Sequence, residues 1–272
     1  MSTKSGTSLD RLRRRVLFER VIARIQAAEP GRWVLKGGMA LEVRLRDDAR
    51  LTKDVDLGVR DNVDTAPDLH ERLIDILATA LDQDFFVFTV GPPQRLRDDG
   101  AGFPTWRAKV DAKLADKPFG RIQLDVSPRT HELHTTDTLA VPNSLDFAGI
   151  PGVNVEAIDI HRHAAEKFHG MLRDFGEREN SRVRDLLDLA ILLDHDLLTP
   201  ARTAAAIGTV WLERDRSEPR KELPPLPESW PDRYERIAID QGIDVQSYPA
   251  AAARVAQLWA QMFSDEESGS PH

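Results

Sequence analysis

The sequence predicts an α/β (α+β) fold in which a mixed sheet with helices, over residues 1–150, is followed by a helical lobe over residues 151–272. Alternating apolar and polar residues, which are typical of half-buried strands, occur in the first part of the chain. Apolar residues at helical spacing dominate from Asn154 onward. Residues 217–231 are rich in proline, which favours an extended connector between two helices of the second lobe.

The composition of the chain narrows the classes of function. With 272 residues, 41% of them hydrophobic, the chain can bury a sizeable core, which excludes a disordered protein. A formal net charge of -8 excludes a protein that coats nucleic acid by charge alone. The absence of cysteine excludes disulfides, thiolate catalysis and cysteine zinc sites. No apolar stretch is long enough for a signal peptide or a membrane span, so we expect a cytoplasmic protein without a membrane partner.

The first predicted elements place two carboxylates together. The apolar spacing predicts a helix over Leu9–Ala28, and Trp33–Leu35 is a short strand followed by a glycine turn that opens a second helix. Thr52–Val59 alternates as a half-buried strand, beside the first strand, so Asp54 and Asp56 share one face.

The rest of the chain continues with strands and then helices. Two alternating segments, Trp106–Leu114 and Ile122–Ser127, predict a hairpin with its turn near Asp116–Gly120. The other predicted elements are a helix at Pro67–Leu81, a strand at Phe85–Val90, and helices at Val155–Asp174, Ser181–Asp194, Pro200–Arg214, Trp230–Gln241 and Pro249–Phe263.

The glycine turn and the two carboxylates together point to phosphate chemistry. Backbone N–H groups of Gly37 and Gly38, at a helix start, can face a phosphate. Paired carboxylates suit Mg²⁺, which prefers oxygen ligands and bridges protein to phosphate. A third carboxylate on a neighbouring strand would complete the site, and Asp125 and Asp111 compete for this role. The alternative interpretation of Asp54 and Asp56 is the solvated face of an edge strand.

Four segments carry a resemblance to a known family. In chain order they are Lys36–Leu41 (KGGMAL), Arg50–Leu57 (RLTKDVDL), Glu166–Phe168 (EKF) and Arg184–Leu189 (RDLLDL). Together they resemble the motifs of the AbiEii/AbiGii nucleotidyltransferase toxins, whose mycobacterial branch is called MenT. The resemblance implies a DNA polymerase β-like nucleotidyltransferase core with a helical C-terminal lobe. It also implies that the chain is the toxin of a toxin–antitoxin pair and that a cognate antitoxin neutralises it. Such a toxin would use two Mg²⁺ ions and an NTP to add nucleotides to the tRNA 3′ end.

The family motifs imply roles for particular residues of this sequence. Thr52 occupies a position that is phosphorylated in some relatives. Phosphorylation of this residue would silence the enzyme. The implied catalytic residues are Asp54, Asp56, Lys167, Asp188 and Asp125, of which Asp54, Asp56 and Asp125 would hold metal. The implied nucleotide-binding residues are Lys36, Gly37, Gly38, Thr52, Lys53 and Lys167.

The sequence also suggests which basic residues contact RNA, and it leaves alternative functions open. Arg44, Arg46 and Arg50 are the expected RNA contacts, and the arginines of the first helix, between Arg11 and Arg24, form a second basic cluster. Rival functions are nucleotide transfer to a protein hydroxyl or a small molecule, and a catalytically silent module that binds NTP or antitoxin. For Lys167 and Asp188, structural ion pairing is the alternative to a catalytic role.

Overall fold

The structure is a computed structural model that describes residues 9–50, 52–63, 65–96, 104–241 and 246–263. The described residues form two compact units. The sheet unit contains those of Met1–Arg46 and Leu51–Ile158, and the helical unit contains those of Asp47–Arg50 and Asp159–His272. In the described stretches no helix combines the length and the apolar character needed to cross a membrane.

The sheet unit consists of one mixed sheet and three helices among its described residues. The helices are α1 (Leu9–Ala28), α2 (Gly37–Leu45) and α3 (Ala66–Ala78). The strands are β1 (Trp33–Lys36), β2 (Asp54–Val59), β3 (Phe86–Val90), β4 (Gln94–Arg95), β5 (Trp106–Leu114), β6 (Lys117–Ser127), β7 (Thr136–Ala140) and β8 (Asn154–Ile158). Their order is β3-β5-β6-β2-β1-β8-β7, with β4 beside β5, which confirms the predicted α/β fold with a mixed sheet.

Strand β2 lies inside the sheet and its alternation fixes which face is polar. Val55 and Leu57 are buried in the core, and burial of each such side chain stabilises the fold by roughly 1.5–3 kcal/mol. Asp54 and Asp56 therefore take the opposite face, where both are half-buried. Because β2 pairs antiparallel with β1 and parallel with β6, the edge-strand interpretation of these carboxylates is wrong.

Helix α1 spans the predicted residues, but part of its basic face is buried. Arg20 donates from Nε to Asp84 Oδ2 at 2.6 Å, and Arg24 holds the same carboxylate through both terminal nitrogens. Burial would raise the pKa of Asp84, but the hydrogen bonds from Arg24, the Phe86 N–H and Arg20 outweigh it and lower that pKa. These two arginines are thus structural ion-pair partners and not an RNA surface, while the side chain of Arg11 lies outside the described residues.

The helical unit begins later than predicted. The expected helix from Val155 is strand β8 up to Ile158, because these residues pair with both β1 and β7. Asp159 then caps the next helix by accepting from the N–H groups of His161 and Arg162. The helices of this unit are α4 (Ile160–Leu172), α5 (Val183–Asp194), α6 (Pro200–Asp215), α7 (Trp230–Gln241) and α8 (Tyr248–Phe263).

Aromatic side chains form the centre of the helical unit. The ring centroids of Phe168 and Trp259 are 5.2 Å apart, and those of Trp211 and Trp259 are 6.0 Å apart. These contacts join α4, α6 and α8 around one core. The proline-rich segment over residues 216–229 has no regular secondary structure, as its sequence predicts.

Candidate functional site

Three carboxylates meet on the polar face of the sheet. The parallel register of β2 and β6 places Asp56 directly opposite Asp125, and Asp54 lies two residues earlier on the same face. Gln123, which is paired with Asp54 in the register, donates from Nε2 to Asp54 Oδ1 at 2.6 Å. Asp111, the competitor for the third position, lies on β5 and is exposed, with Arg121 bound to both of its oxygens. We call Asp54, Asp56 and Asp125 the carboxylate cluster.

Gly37 leaves room for the carboxylate cluster at the start of α2. Its φ of +56° lies in the left-handed region, which favours glycine. A Cβ atom at this position would lie 1.8 Å from Asp56 Oδ2, so any side chain would displace this carboxylate. The first residue of α2 therefore approaches Asp56 closely, and the positive end of the helix faces a negative group.

Arg107 is a member of this site that the sequence argument missed. Its Nε donates to Asp125 Oδ1 at 2.8 Å and its Nη2 to Asp125 Oδ2 at 2.6 Å, a bidentate pair. The hydrogen bond with Asp125 raises the pKa of Arg107, and the charges of Asp54 and Asp56 add to this effect. Arg107 therefore lies in the field of all three carboxylates.

The register of the hairpin explains why Arg107 was missed. The chain turns at Ala115 and Asp116, both with positive φ, which is earlier than the predicted turn near Asp116–Gly120. A turn centred at residue 118 would place Arg129 opposite Arg107. The observed turn, together with a bulge near Ala112, brings Asp125 opposite Arg107. The pairing of Arg107 with Asp125 therefore becomes clear only when both the turn position and the bulge are known.

Lys36, expected at the nucleotide, lies in a buried ion pair. Its Nζ donates to Glu132, whose other oxygen accepts from Arg129 Nη1 at 3.1 Å. Glu132 belongs to a short 3₁₀ turn over Thr130–Leu133 and was not singled out from the sequence. The nucleotide role of Lys36 stays a prediction, and the contact with Glu132 fixes where its ammonium group lies.

Gly38, Thr52 and Lys53 occupy different environments. Gly38 is buried in α2, whereas Lys53 is exposed. Thr52 is 8% exposed, and its hydroxyl donates to the Asp54 carbonyl at 3.3 Å. The N–H of Thr52 donates to Glu42 Oε2 at 3.3 Å. The segment that leads into β2 is thus held by α2, and the hydroxyl of the predicted phosphorylation site is turned inward.

The helical unit contains a second charged cluster, formed by Arg50, Lys167, Asp185 and Asp188, which we call the buried ion cluster. Lys167 Nζ on α4 lies 2.8 Å from Asp188 Oδ2 and 3.1 Å from Asp185 Oδ1, both on α5. Arg50 binds both oxygens of Asp188, at 2.7 and 3.0 Å. Lys167 thus pairs with residues of α5 and not with its sequence neighbours.

Burial and pairing oppose each other in the buried ion cluster. Burial would raise the pKa of Asp188, but the charges of Lys167 and Arg50 outweigh it and lower the pKa to about 2. Burial would lower the pKa of Lys167, but Asp188 and Asp185 hold it above its usual value. Both groups are therefore charged at neutral pH.

A glycine also makes room in the buried ion cluster. A Cβ atom on Gly170 of α4 would lie 2.6 Å from Asp185 Oδ2. Gly170 follows Lys167 by one helical turn, so it opens the surface of α4 next to the ammonium group. The absence of a side chain there lets α5 bring its carboxylate to Lys167.

The three arginines expected at RNA differ in accessibility. Arg44 donates to Asp137 Oδ2 at 2.8 Å and to the Ile158 carbonyl at 3.0 Å. Arg50 belongs to the buried ion cluster, whereas Arg46 is exposed at the end of α2. RNA contact stays a prediction for all three, and accessibility favours Arg46.

Comparisons with known proteins identify the family. A family model described as the nucleotidyl transferase AbiEii toxin of a type IV toxin–antitoxin system matches residues 20–267. The solved structure of MenT4, a nucleotidyltransferase toxin from Mycobacterium tuberculosis H37Rv, has a TM-score of 0.58 at 19% identity and covers 93% of this chain and 84% of that chain. A candidate nucleotidyltransferase from H. pylori has a TM-score of 0.52 at 14% identity and covers 96% of this chain and 100% of that chain. No curated protein sequence matches this chain.

The two kinds of similarity support different conclusions. At such low identities the solved structures show the fold alone, and they confirm the predicted nucleotidyltransferase fold. The family model covers most of the chain, including all four sequence motifs, and confirms the resemblance found in them. The chain belongs to the AbiEii nucleotidyltransferase toxin family of type IV toxin–antitoxin systems.

Proposed function

We propose that this toxin transfers a nucleoside monophosphate from an NTP to the 3′ end of tRNA, which blocks translation, and that a cognate antitoxin neutralises it. The observation that supports the transferase chemistry most directly is the carboxylate cluster beside Gly37. The choice of tRNA as acceptor comes from the resemblance to the characterised MenT toxins. The exposed Arg46 is the favoured contact for the RNA backbone.

The carboxylate cluster fits a magnesium site. Asp54 and Asp56 offer oxygen ligands on one face, and Asp125 stands opposite Asp56 on the neighbouring strand. When bound, Mg²⁺ would polarise the α-phosphate and neutralise the departing pyrophosphate. Gly37 keeps the approach to Asp56 open, since a side chain there would occupy the position of the carboxylate.

The proposed reaction is an in-line substitution at the α-phosphorus. The terminal ribose hydroxyl of the tRNA forms a new P–O bond, the bond between the α-phosphorus and the bridging oxygen breaks, and pyrophosphate leaves with that oxygen. The hydroxyl proton passes to a carboxylate or to solvent. Lys167, in its expected role at the triphosphate, must stay charged, and the raised pKa that Asp188 and Asp185 give it supports this requirement.

Labelled nucleotides test the acceptor. Purified protein is incubated with each α-labelled NTP and either total tRNA or total protein, and the label is followed after gel separation. We expect label on tRNA, lost by at least about a hundredfold in Asp54→Asn. The matched control is Asp111→Asn, which removes an exposed carboxylate of the same sheet and should retain activity. Label on protein alone would overturn the tRNA proposal.

We also propose that phosphorylation of Thr52 silences the enzyme. A phosphate two residues before Asp54 would add nearly two negative charges beside the carboxylate cluster, where it would compete with the triphosphate. Because Thr52 is buried, its modification requires that the segment before β2 opens. Intact-mass measurement after co-expression with the neighbouring gene product should show one added phosphate, which Thr52→Val abolishes. An unmodified chain that is nevertheless neutralised would point to an antitoxin that acts by another route.

A further inference from the structure

We infer that Arg107 takes the place of a second metal ion, so that without nucleotide the carboxylate cluster binds a single divalent cation, held by Asp54 and Asp56. This inference rests on the proposed function, which supplies the need for a divalent metal. It goes beyond that function because it assigns Arg107 a role and fixes the number of ions that the site holds before the NTP arrives.

The surroundings of Asp125 restrict the approach of a cation to its carboxylate. Both of its oxygens accept hydrogen bonds from Arg107, at 2.8 and 2.6 Å. Asp125 is only 8% exposed, so few other directions remain from which a cation can approach it. The guanidinium group thus takes one lone pair on each Asp125 oxygen, and burial restricts the approach of a metal ion to the other two.

The guanidinium group of Arg107 is chemically suited to replace a metal cation at a carboxylate. A guanidinium group keeps its charge at any pH at which the protein is folded, and its planar fork matches a carboxylate. Arg107 is thus a permanent cation that binds both oxygens of Asp125.

The hairpin of β5 and β6 contains two arginine–aspartate pairs that differ in exposure. Arg121 binds both oxygens of Asp111 just as Arg107 binds those of Asp125, but both members of the Arg121 pair are more than half exposed. The side chains of Arg107 and Asp125 are 34% and 10% exposed, and this pair borders Asp56. The hairpin therefore provides a matched pair of the same chemistry outside the cluster.

Titration with Mn²⁺ alone tests the inference. The full chain without NTP is titrated, and free Mn²⁺ is measured by its electron paramagnetic resonance signal. We expect one bound ion in the wild type and a second in Arg107→Gln, while Arg107→Lys, which keeps the charge, and the matched control Arg121→Gln keep one. Asp54→Asn should weaken binding by at least about tenfold, whereas Asp125→Asn should still bind the single ion.

Two results would overturn the inference. One is a wild type that binds two ions without nucleotide, and the other is loss of the single ion in Asp125→Asn. Both measurements decide the matter even if Arg107→Gln fails to fold, as judged by circular dichroism. A chain that binds one ion but transfers no nucleotide would contradict the proposed function alone. A chain that transfers nucleotide and binds two ions through Asp125 would contradict this inference alone.

Discussion

The carboxylate cluster of the sheet unit and the buried ion cluster of the helical unit use aspartate in opposite ways. Asp54 and Asp56 are half-buried and crowd onto one face with Asp125. Asp188 is fully buried and binds Lys167 and Arg50 directly. In the first cluster Arg107 pairs with one of three neighbouring carboxylates, and in the second two cations face two carboxylates.

We expect the carboxylate cluster to bind a cation, and we expect the pairing within the buried ion cluster to stabilise the fold as well as to position Lys167. Buried charges are tolerated when they are paired, and removal of one partner leaves the others without compensation. Carboxylates held close together on a partly exposed face cost stability until a cation binds them. We therefore expect aspartate substitutions to have opposite effects on stability in the two clusters.

The largest effect is expected for Asp188→Asn. The variant keeps the shape of the side chain but leaves Lys167 and Arg50 buried without their shared carboxylate. The free energy of unfolding should fall by about 4 kcal/mol, as measured by urea denaturation. Asp111→Asn, in an exposed pair, should leave stability nearly unchanged. Equal losses in both variants would remove the distinction between the clusters.

The second-largest loss of stability is expected for Gly37→Ala. Alanine combines an unfavourable positive φ with a clash against Asp56, so the free energy of unfolding should fall by about 3 kcal/mol. Gly149→Ala is the matched control, since Gly149 has a φ of +73° but no atom near its Cβ position. It should cost only about 1 kcal/mol. If the two losses are the same in thermal or urea unfolding, the close approach of Asp56 is not a constraint.

Acid should weaken the buried ion cluster. The pKa of Asp188 is lowered from 3.8 to about 2, so the unfolded chain binds the proton more readily than the folded one. The stabilisation is complete above pH 4 and is lost as the pH falls towards 2, and it amounts to about 2 kcal/mol. Urea unfolding from pH 5 to pH 2 measures this loss, which should be smaller in Asp188→Asn.

The smallest effect is expected for Asp54→Asn and has the opposite sign. The variant removes one of the crowded charges, while its amide oxygen can still accept from Gln123. The free energy of unfolding should rise by about 0.5 kcal/mol although the transferase activity falls. Urea denaturation beside the labelled-NTP assay checks both. A destabilised Asp54→Asn would mean that the cluster is not under repulsion.

Local patterns predicted the elements whose sequence signal is strong. The alternation of β2 and the apolar spacing of α1 are properties of consecutive residues, and the structure has both elements; the two glycines form the start of α2 itself. The predicted helix start at Val155 was wrong, because β8 forms by pairing with the preceding strand β7 and with β1, which lies far away in sequence. Pairing between distant strands overrides local spacing.

In the candidate site, too, local patterns were predictable and contacts between distant segments were not. The pair of carboxylates on β2 was predictable because two alternating residues must share a face. The contacts of Arg107 with Asp125 and of Lys36 with Glu132 depend on a turn position, a bulge and a 3₁₀ turn. Such features shift which residues meet without leaving a periodic signal. Ion pairs between distant segments are therefore the part of the site that required the structure.

The parallel pairing of β2 with β6 has a consequence for how the enzyme matures. Gln123 and Asp54, which are neighbours in this pairing, are 69 residues apart, so a long loop must close before their hydrogen bond can form. A ribosome releases Asp54 and Asp56 well before Asp125 and Arg107. The carboxylate cluster is therefore assembled only when β6 pairs with β2, and a chain that ends before β6 lacks Asp125.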